Sequence, residues 1–481
     1  MAKAKTQKRT AQHLEKAATD SSWKQGDLLE LAIESLTDSG DGLGRWGSRV
    51  VFVPDTVPGD RVEVRLTEAK SRFGRGQLRH ILLPSRERVR PACIVADKCG
   101  GCQWQGVSYE TQLTAKTQHI RDVLQRIGGF ENVPIAPILA DIAGDRPGLH
   151  YRNKSTYPVT AGPSAHTLRA GYYRKGSHQL VNLNQCPVQD DRLDPLLAQV
   201  KKDAASRRWQ PYDEKHHRGD LRHLSLRVGQ RTGEMLLTLV SRSPDLPGLE
   251  KQAGLWLKHF PHLMGVCLNH QPDRGNQIFG TETRCITGQR YLTETFAGLN
   301  FHIGSTTFFQ INTERAEALI QGTLRQLQLT GTETVVDAYC GVGTFTLPIA
   351  QQVKQALGIE SHAASIDSAW SNARLNHLDN VDFRVGKVEE SLPQLLHKEQ
   401  LRPDVVTLDP PRKGCKPAVL DALLQVKPGR IVYISCKPAT LARDLKHLSR
   451  SYRLDWVQPA DFFPQTPHVE CAVCLSLKPN F

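Results

Sequence analysis

From about residue 25 to residue 83 the apolar positions come in short alternating runs, LLELAIESL, RVVFVP, DRVEVRLTEA and GQLRHILL. Turn clusters separate them: SGDGLG at 39–44 and VPGD at 57–60. A period of two broken by Gly, Pro and Asp predicts strands. Several short strands in about 60 residues predict a small OB-like β-barrel over residues 23–83. Leu113, Ile120, Val123 and Leu124 then recur at helical spacing and predict a helix over 108–127. Residues 137–306 mix strands such as LRHLSLRV and EMLLTLV with many Gly, Pro and Asn turns, which reads as α+β. After Thr306 the pattern becomes a regular alternation. TERAEALIQGTLRQL, TFTLPIAQQV, ASIDSAWSNARLNHL, PAVLDALLQV and PATLARDLKHL read as helices. TVVDAYC, ALGIES, VDFRVG, VVTLDPP and RIVYISC read as strands, and YRLDWVQPAD and ECAVCLSLK close the chain as β. Such alternation predicts a doubly wound, mainly parallel Rossmann-like sheet.

In a sheet of that kind the working side chains stand at the carboxyl ends of strands. TVVDAYCGVGTFTLPIA reads as strand, glycine turn and helix, with Asp337 and Tyr339 at the strand end. Gly341 and Gly343 let a ligand approach the backbone. Glu360 ends the next strand, where a carboxylate can accept hydrogen bonds from the ribose hydroxyls of an adenosine. A dinucleotide and S-adenosylmethionine both fit. Thr346 stands where a dinucleotide site favours a third glycine. VVTLDPPRKG puts Asp409 at another strand end, before two prolines that rigidify the loop. Arg412 and Lys413 read as phosphate contacts or as solvated charges. RIVYISCKPATLARD delivers Cys436 to a strand end. It reads as a thiolate nucleophile whose pKa Lys437 and the following helix N-terminus would lower, or as a buried small hydrophobe.

Composition narrows the partners. The 481 residues carry a formal net charge of +13, which favours a polyanion such as nucleic acid. Lys70, Arg72, Arg75 and Arg79 make the last barrel hairpin basic, as a nucleic-acid face or a soluble edge. Residues 1–22 are polar and basic and read as a disordered tail. They lack the apolar core of a signal peptide, and no run reaches membrane-spanning length. A cytoplasmic protein is expected, and its 11 cysteines are not expected to form a disulfide framework.

FFQIN at 308–312, DAYCGVGTF at 337–345, LDPPRKG at 408–414, SCKPATLARD at 435–444 and HVE at 468–470 occur in that order. With these motifs the chain resembles the RNA uracil-C5 (5-methyluridine) methyltransferase family, nearest the branch that acts on 23S ribosomal RNA. That branch carries a TRAM domain and an iron–sulfur cluster. The resemblance implies S-adenosylmethionine as cofactor, with Gln310, Tyr339, Glu360 and Asp409 contacting it. It implies Cys436 as nucleophile and Glu470 as base. Without the resemblance, Glu470 reads equally as a surface carboxylate. It also implies a TRAM barrel over 23–83, a central iron–sulfur domain over 84–104 and 137–306, and a methyltransferase domain over 105–136 and 307–481.

CIVADKCGGCQWQ spaces Cys93, Cys99 and Cys102 as C-x5-C-x2-C, and Cys186 precedes a proline far downstream. Four thiolates suit [4Fe-4S] or zinc, and the resemblance favours [4Fe-4S]. Cys471 and Cys474 fall in a strand, where residues three apart face opposite sides, so they are expected in the core. Cys340 is expected to pack, and Cys267, Cys285 and Cys415 have no assigned partner. An RNA cytosine-C5 methyltransferase would place its cysteine straight after Pro411, where Arg412 stands. An amine methyltransferase needs no cysteine. Transfer RNA as substrate and a non-catalytic RNA-binding or RNA-folding factor are the remaining alternatives.

Overall fold

The computed structural model describes residues 23–141, 147–164 and 167–479; the basic segment 1–22 lies outside them. The chain forms two compact units. One takes in the residues up to Asp97, Gly101–His119 and Pro464–Pro467; the other takes in Lys98–Gly100, Ile120–Phe463 and the residues from His468 onward.

In the first unit, β1 (Leu28–Leu36), β2 (Gly42–Trp46), β3 (Arg49–Val53), β4 (Arg61–Ala69) and β5 (Phe73–Leu83) close a barrel in the order β1-β2-β3-β5-β4. The alternation of β1 and β4 turns Leu29, Leu31, Ile33, Val62, Val64 and Leu66 inward, where each is nearly inaccessible. Closure leaves no room at Gly76, where a Cβ would lie 2.0 Å from Val64 Cγ1. The expected basic hairpin is partly neutralised. Lys70 and Arg75 both pair with Glu68, at 3.5 and 3.6 Å, while Arg72 and Arg79 stay exposed. Trp23 and Trp46 stack 5.9 Å apart, with the Arg49 guanidinium over both rings. The predicted helix spans Tyr109–Arg126.

The second unit holds two seven-stranded sheets. In the first, β6 (Lys154–Ala161), β7 (Leu168–Tyr173), β8 (Leu180–Asn182), β9 (Leu221–Val228), β10 (Met235–Ser241), β11 (Leu263–His270) and β12 (Glu282–Gly288) run in the order β12-β11-β10-β9-β6-β7-β8. Only β10 and β11 are parallel neighbours. A hairpin, β13 (Tyr291–Phe296) and β14 (Leu299–Gly304), leads into the second sheet.

That sheet comprises β15 (Thr334–Ala338), β16 (Gln355–Glu360), β17 (Val381–Val385), β18 (Val405–Leu408), β19 (Arg430–Ser435), β20 (Tyr452–Ala460) and β21 (Glu470–Leu477), ordered β17-β16-β15-β18-β19-β21-β20. The first five are parallel, and β21 inserts antiparallel between β19 and β20. Its strands are buried on both faces, so they read as continuous apolar runs. Cys471 and Cys474 enter the cores on opposite faces, as the strand period requires. Strand order reverses at β15, which opens a crevice at the carboxyl ends of β15 and β18. Among the described residues no helix is long and apolar enough to cross a membrane.

Candidate active site

The glycine turn after β15 is held by its neighbour. The backbone N–H groups of Tyr339 and Cys340 both donate to the Ile359 carbonyl, at 2.9 and 3.0 Å. This bends the chain so that Tyr339 sits at φ +71, a left-handed conformation rare for a bulky residue. Strain of this kind clusters at ligand sites. The Glu360 carboxylate accepts from Gly341 N at 3.3 Å, from His362 N at 2.9 Å and from the Ser361 hydroxyl at 3.0 Å. Its orientation is therefore set before a ligand arrives. Behind the turn, buried Asp337 accepts from the Thr346 and Thr407 hydroxyls at 2.5 and 2.6 Å. Burial pushes the Asp337 carboxyl up to about 6, although both hydroxyls pull it down. Thr346 thus ties the helix start to the strand.

The DPPRKG loop is anchored by the last residue of the SCKPATLARD motif, a position to which the sequence assigned no role. Asp444, on helix Pro438–Leu448, is 1% exposed. It accepts from Cys415 N at 2.9 Å and from the Tyr433 hydroxyl at 2.7 Å, and it pairs with Arg443 at 2.7 Å. Arg443 in turn donates to the Lys413 carbonyl at 3.0 Å. Asp444→Ala strands two buried donors, and we expect a loss of about 3 kcal/mol. Denaturant unfolding of the variant checks this; an unchanged midpoint contradicts it.

Sheet register brings the reactive pair together. Ser435 on β19 is opposite Cys471 on β21, so the next step along each antiparallel strand sets Cys436 beside Glu470. Cys436 and Glu470 line one cavity of about 1240 Å³ together with Gln310, Tyr339, Glu360 and Asp409. All six residues singled out for chemistry on one domain therefore meet at the carboxyl end of the sheet. Burial pushes Asp409 up to about 7, with repulsion from Asp337 added. Burial pushes Glu470 up to about 8, and Asp409 adds to this while Arg412 opposes it.

The expectation that Cys436 is activated by Lys437 and the helix N-terminus is corrected here. Burial, then Glu470 and Asp409, push its thiol up to about 11, and Arg412 is the side chain that pulls it down. Two carboxylates at strand ends outweigh one cation. Sequence reasoning left Arg412 as a phosphate contact or solvated charge, whereas it is the local counter-charge of the reactive pair.

Of the four cysteines of the expected cluster, Cys99 and Cys186 are buried and Cys93 and Cys102 are half-buried. In the second unit Cys99 bridges to Arg174 at the end of β7, and Cys186 N donates to Asp194 at 3.2 Å. In the first unit Cys93 N donates to the Gln105 side-chain oxygen at 3.4 Å. Among the described residues no set of three or more His, Cys, Asp or Glu side chains gathers to hold a metal ion. Cys267 and Cys285 oppose one another across β11 and β12, and Cys340 is buried.

The model of the tRNA (Uracil-5-)-methyltransferase family matches residues 280–478, and that of the TRAM domain matches residues 22–78. An uncharacterized RNA methyltransferase of Nostoc sp. is 56% identical over 95% of this chain and 98% of its own length. Another, of Synechocystis sp., is 55% identical over 95% and 97%. The Pyrococcus abyssi tRNA (uracil-54, C5)-methyltransferase, solved with S-adenosyl-L-homocysteine, superposes with a TM-score of 0.73 at 26% identity, covering 93% of this chain and 99% of that one. The chain therefore belongs to the tRNA (uracil-5-)-methyltransferase family, as an S-adenosylmethionine-dependent RNA methyltransferase that carries a TRAM domain at its N-terminal end.

Proposed function

We propose that the protein methylates C5 of a uridine in 23S ribosomal RNA. The observation that carries the chemistry is the pairing of a strand-end cysteine with a buried carboxylate, Cys436 with Glu470, in one cavity with Glu360. S-adenosylmethionine supplies an electrophilic methyl group on a cationic sulfonium. The cavity suits it: Glu360 is fixed to receive ribose hydroxyls, Gly341 has open space around its Cα, and Asp409 adds acidic character. Gln310 and Tyr339 complete the cofactor contacts. A positive charge placed there offsets the carboxylates that hold the Cys436 thiol up, which favours the thiolate.

Uracil C5 is a weak nucleophile. The Cys436 thiolate adds to C6, and the electron pair of the C5–C6 double bond moves to make C5 an enolate carbon. C5 then takes the methyl group. Glu470 removes the C5 proton, the double bond re-forms and Cys436 leaves. Cys436 ends as the thiolate it began as, the C5 proton passes through Glu470 to solvent, and the electrons of the broken S–CH3 bond stay on the departing neutral S-adenosylhomocysteine. The uridine must be flipped out or already in a loop for its C6 to be reached.

Ribosomal RNA is favoured by the TRAM barrel together with the cysteine set. We assign Cys93, Cys99, Cys102 and Cys186 as ligands of a [4Fe-4S] cluster on the donor chemistry alone, and no step runs through it. The domain boundaries follow: barrel 23–83, central domain 84–104 and 137–306, methyltransferase domain 105–136 and 307–481. Protein purified without oxygen should be brown and contain iron and acid-labile sulfide; a colourless protein containing zinc overturns the assignment. Transfer RNA is kept as a second reading because the Pyrococcus neighbour acts on it. The test is a covalent trap with 5-fluorouridine-substituted 23S ribosomal RNA fragments and transfer RNA in parallel. The fluorine cannot leave as a proton does, so the Cys436 adduct persists in denaturant. The RNA that is trapped identifies the substrate class, and the absence of any adduct defeats the uracil-C5 reading.

A further inference from the structure

Beside one wall of the catalytic cavity lie two basic side chains, Lys154 and Arg227, which form no ion pair with a carboxylate among the described residues. Lys154 on β6 and Arg227 on β9 are directly opposite in the antiparallel register, so their side chains share a face of the sheet. Arg227 is 5% exposed, and its Nε has no hydrogen-bond partner among the described residues. One of its terminal nitrogens donates to the Thr307 carbonyl at 2.6 Å. Thr306 and Phe308, on either side of Thr307, line the cavity, and Phe308 is 67% exposed. The Lys154 ammonium lies 5.2 Å from the centre of the Phe279 ring. Phe279 belongs to a loop whose Gln271 and Asp273 carbonyls are held by Arg222. Burial, then Arg227 and Arg152, push Lys154 down to about 6, and no carboxylate offsets them. At neutral pH the Lys154 amine is therefore largely uncharged in the free protein, and an anion beside it draws it back to the ammonium form.

We propose that Lys154 and Arg227 form a binding site for a backbone phosphodiester of the RNA strand whose uridine enters the cavity. The proposal rests on the RNA-methyltransferase reading. Arg227 presents a planar donor fork suited to phosphate oxygens, and Lys154 acts as a point charge. Because Arg227 also holds the Thr307 carbonyl, it links strand binding to the wall that carries Phe308 and Gln310.

The decisive variant is Lys154→Met, which keeps the stem and removes the amine. Binding of a single-stranded 12-mer of oligouridylate is measured across a salt series, without any requirement for turnover. The variant should bind about tenfold more weakly at low salt, and its salt slope should be shallower by about 0.7. Its thermal midpoint should hold or rise, because no anion in the free protein loses a partner. S-adenosylhomocysteine affinity serves as the control for cavity integrity and should not move. Unchanged RNA affinity, or weaker binding at an unchanged salt slope, overturns the site. If inorganic phosphate stabilises the wild type but not Lys154→Met while RNA affinity is unaffected, the site is for free phosphate, and the RNA assignment fails. A wild type that gives no 5-fluorouridine adduct, yet binds RNA through Lys154, defeats the uracil reading and leaves this one standing.

Discussion

Replacing Cys436 with alanine should lower kcat/KM by roughly ten-thousand-fold, about 5.5 kcal/mol of transition-state stabilisation, and should leave S-adenosylhomocysteine binding near the wild-type value. The size follows from the chemistry: without addition to C6, C5 never becomes nucleophilic enough to take the methyl group. No neighbour replaces the lost thiol. Cys415 is buried under the DPPRKG loop, where burial pushes its thiol up to about 12. Cys471, the next residue after Glu470, is fully buried on β21. Cofactor affinity is spared because Glu360 and Asp409 stand on other strands, each held by its own strand end. Single-turnover methylation and calorimetric binding check both halves. Full methylation by Cys436→Ala sinks the covalent mechanism.

Replacing Glu470 with glutamine should slow turnover by about 10²–10⁴-fold and should make the covalent RNA–protein adduct accumulate with ordinary uridine. Addition and methyl transfer do not need the carboxylate, whereas removal of the C5 proton does. The adduct therefore waits at the step before elimination. A variant that turns over normally, with no adduct in denaturing gels, shows that the base lies elsewhere. The same residue sets a pH dependence. Its folded pKa, about 8, lies above the ordinary value of 4.5. The folded state therefore holds this proton where the unfolded chain releases it, and stability falls as pH rises from about 4.5 to 8. Glu470→Gln should remove that loss, so its advantage over the wild type grows toward alkaline pH. In kcat/KM the carboxylate must be ionised, so the wild-type rate should rise with pH through a limb near 8. Glu470 and Asp409 interact, so that limb belongs to the pair rather than to one residue. The cationic cofactor should move it to lower pH.

Local periodicity carried much of the fold. The barrel strands, the helix Tyr109–Arg126 and the strand–helix alternation after Thr306 are patterns of period 2 and 3.6 that each segment displays alone. The helix after the glycine turn is shorter than the predicted stretch, ending at Ala350, and Val353 beyond it is buried without being helical. Tyr339, Glu360, Asp409 and Cys436 stand at strand ends or a glycine turn, which are local signals, whereas Gln310 and Glu470 came only from the family resemblance; all six line one cavity.

What the local pattern could not convey is which distant charges share a space. Cys436 was expected to be acidified by Lys437, its neighbour in sequence. The structure instead sets it against Glu470 and Asp409, from β21 and the end of β18, with Arg412 in opposition. Asp444 looked like one more polar residue on a helix, yet it holds the loop that ends in Cys415. Lys154 and Arg227 lie more than one strand apart in sequence and meet only through the register of β6 and β9. By itself, then, the sequence determined the elements, their order and the residue types at each strand end, since these depend on neighbours a few positions away. Only the tertiary structure decided the insertion of β21 beside β19, the charge balance around the thiol and the meeting of Lys154 with Arg227 beside the cavity wall. Coulomb energy and desolvation depend on distance and burial in space, not on separation along the chain.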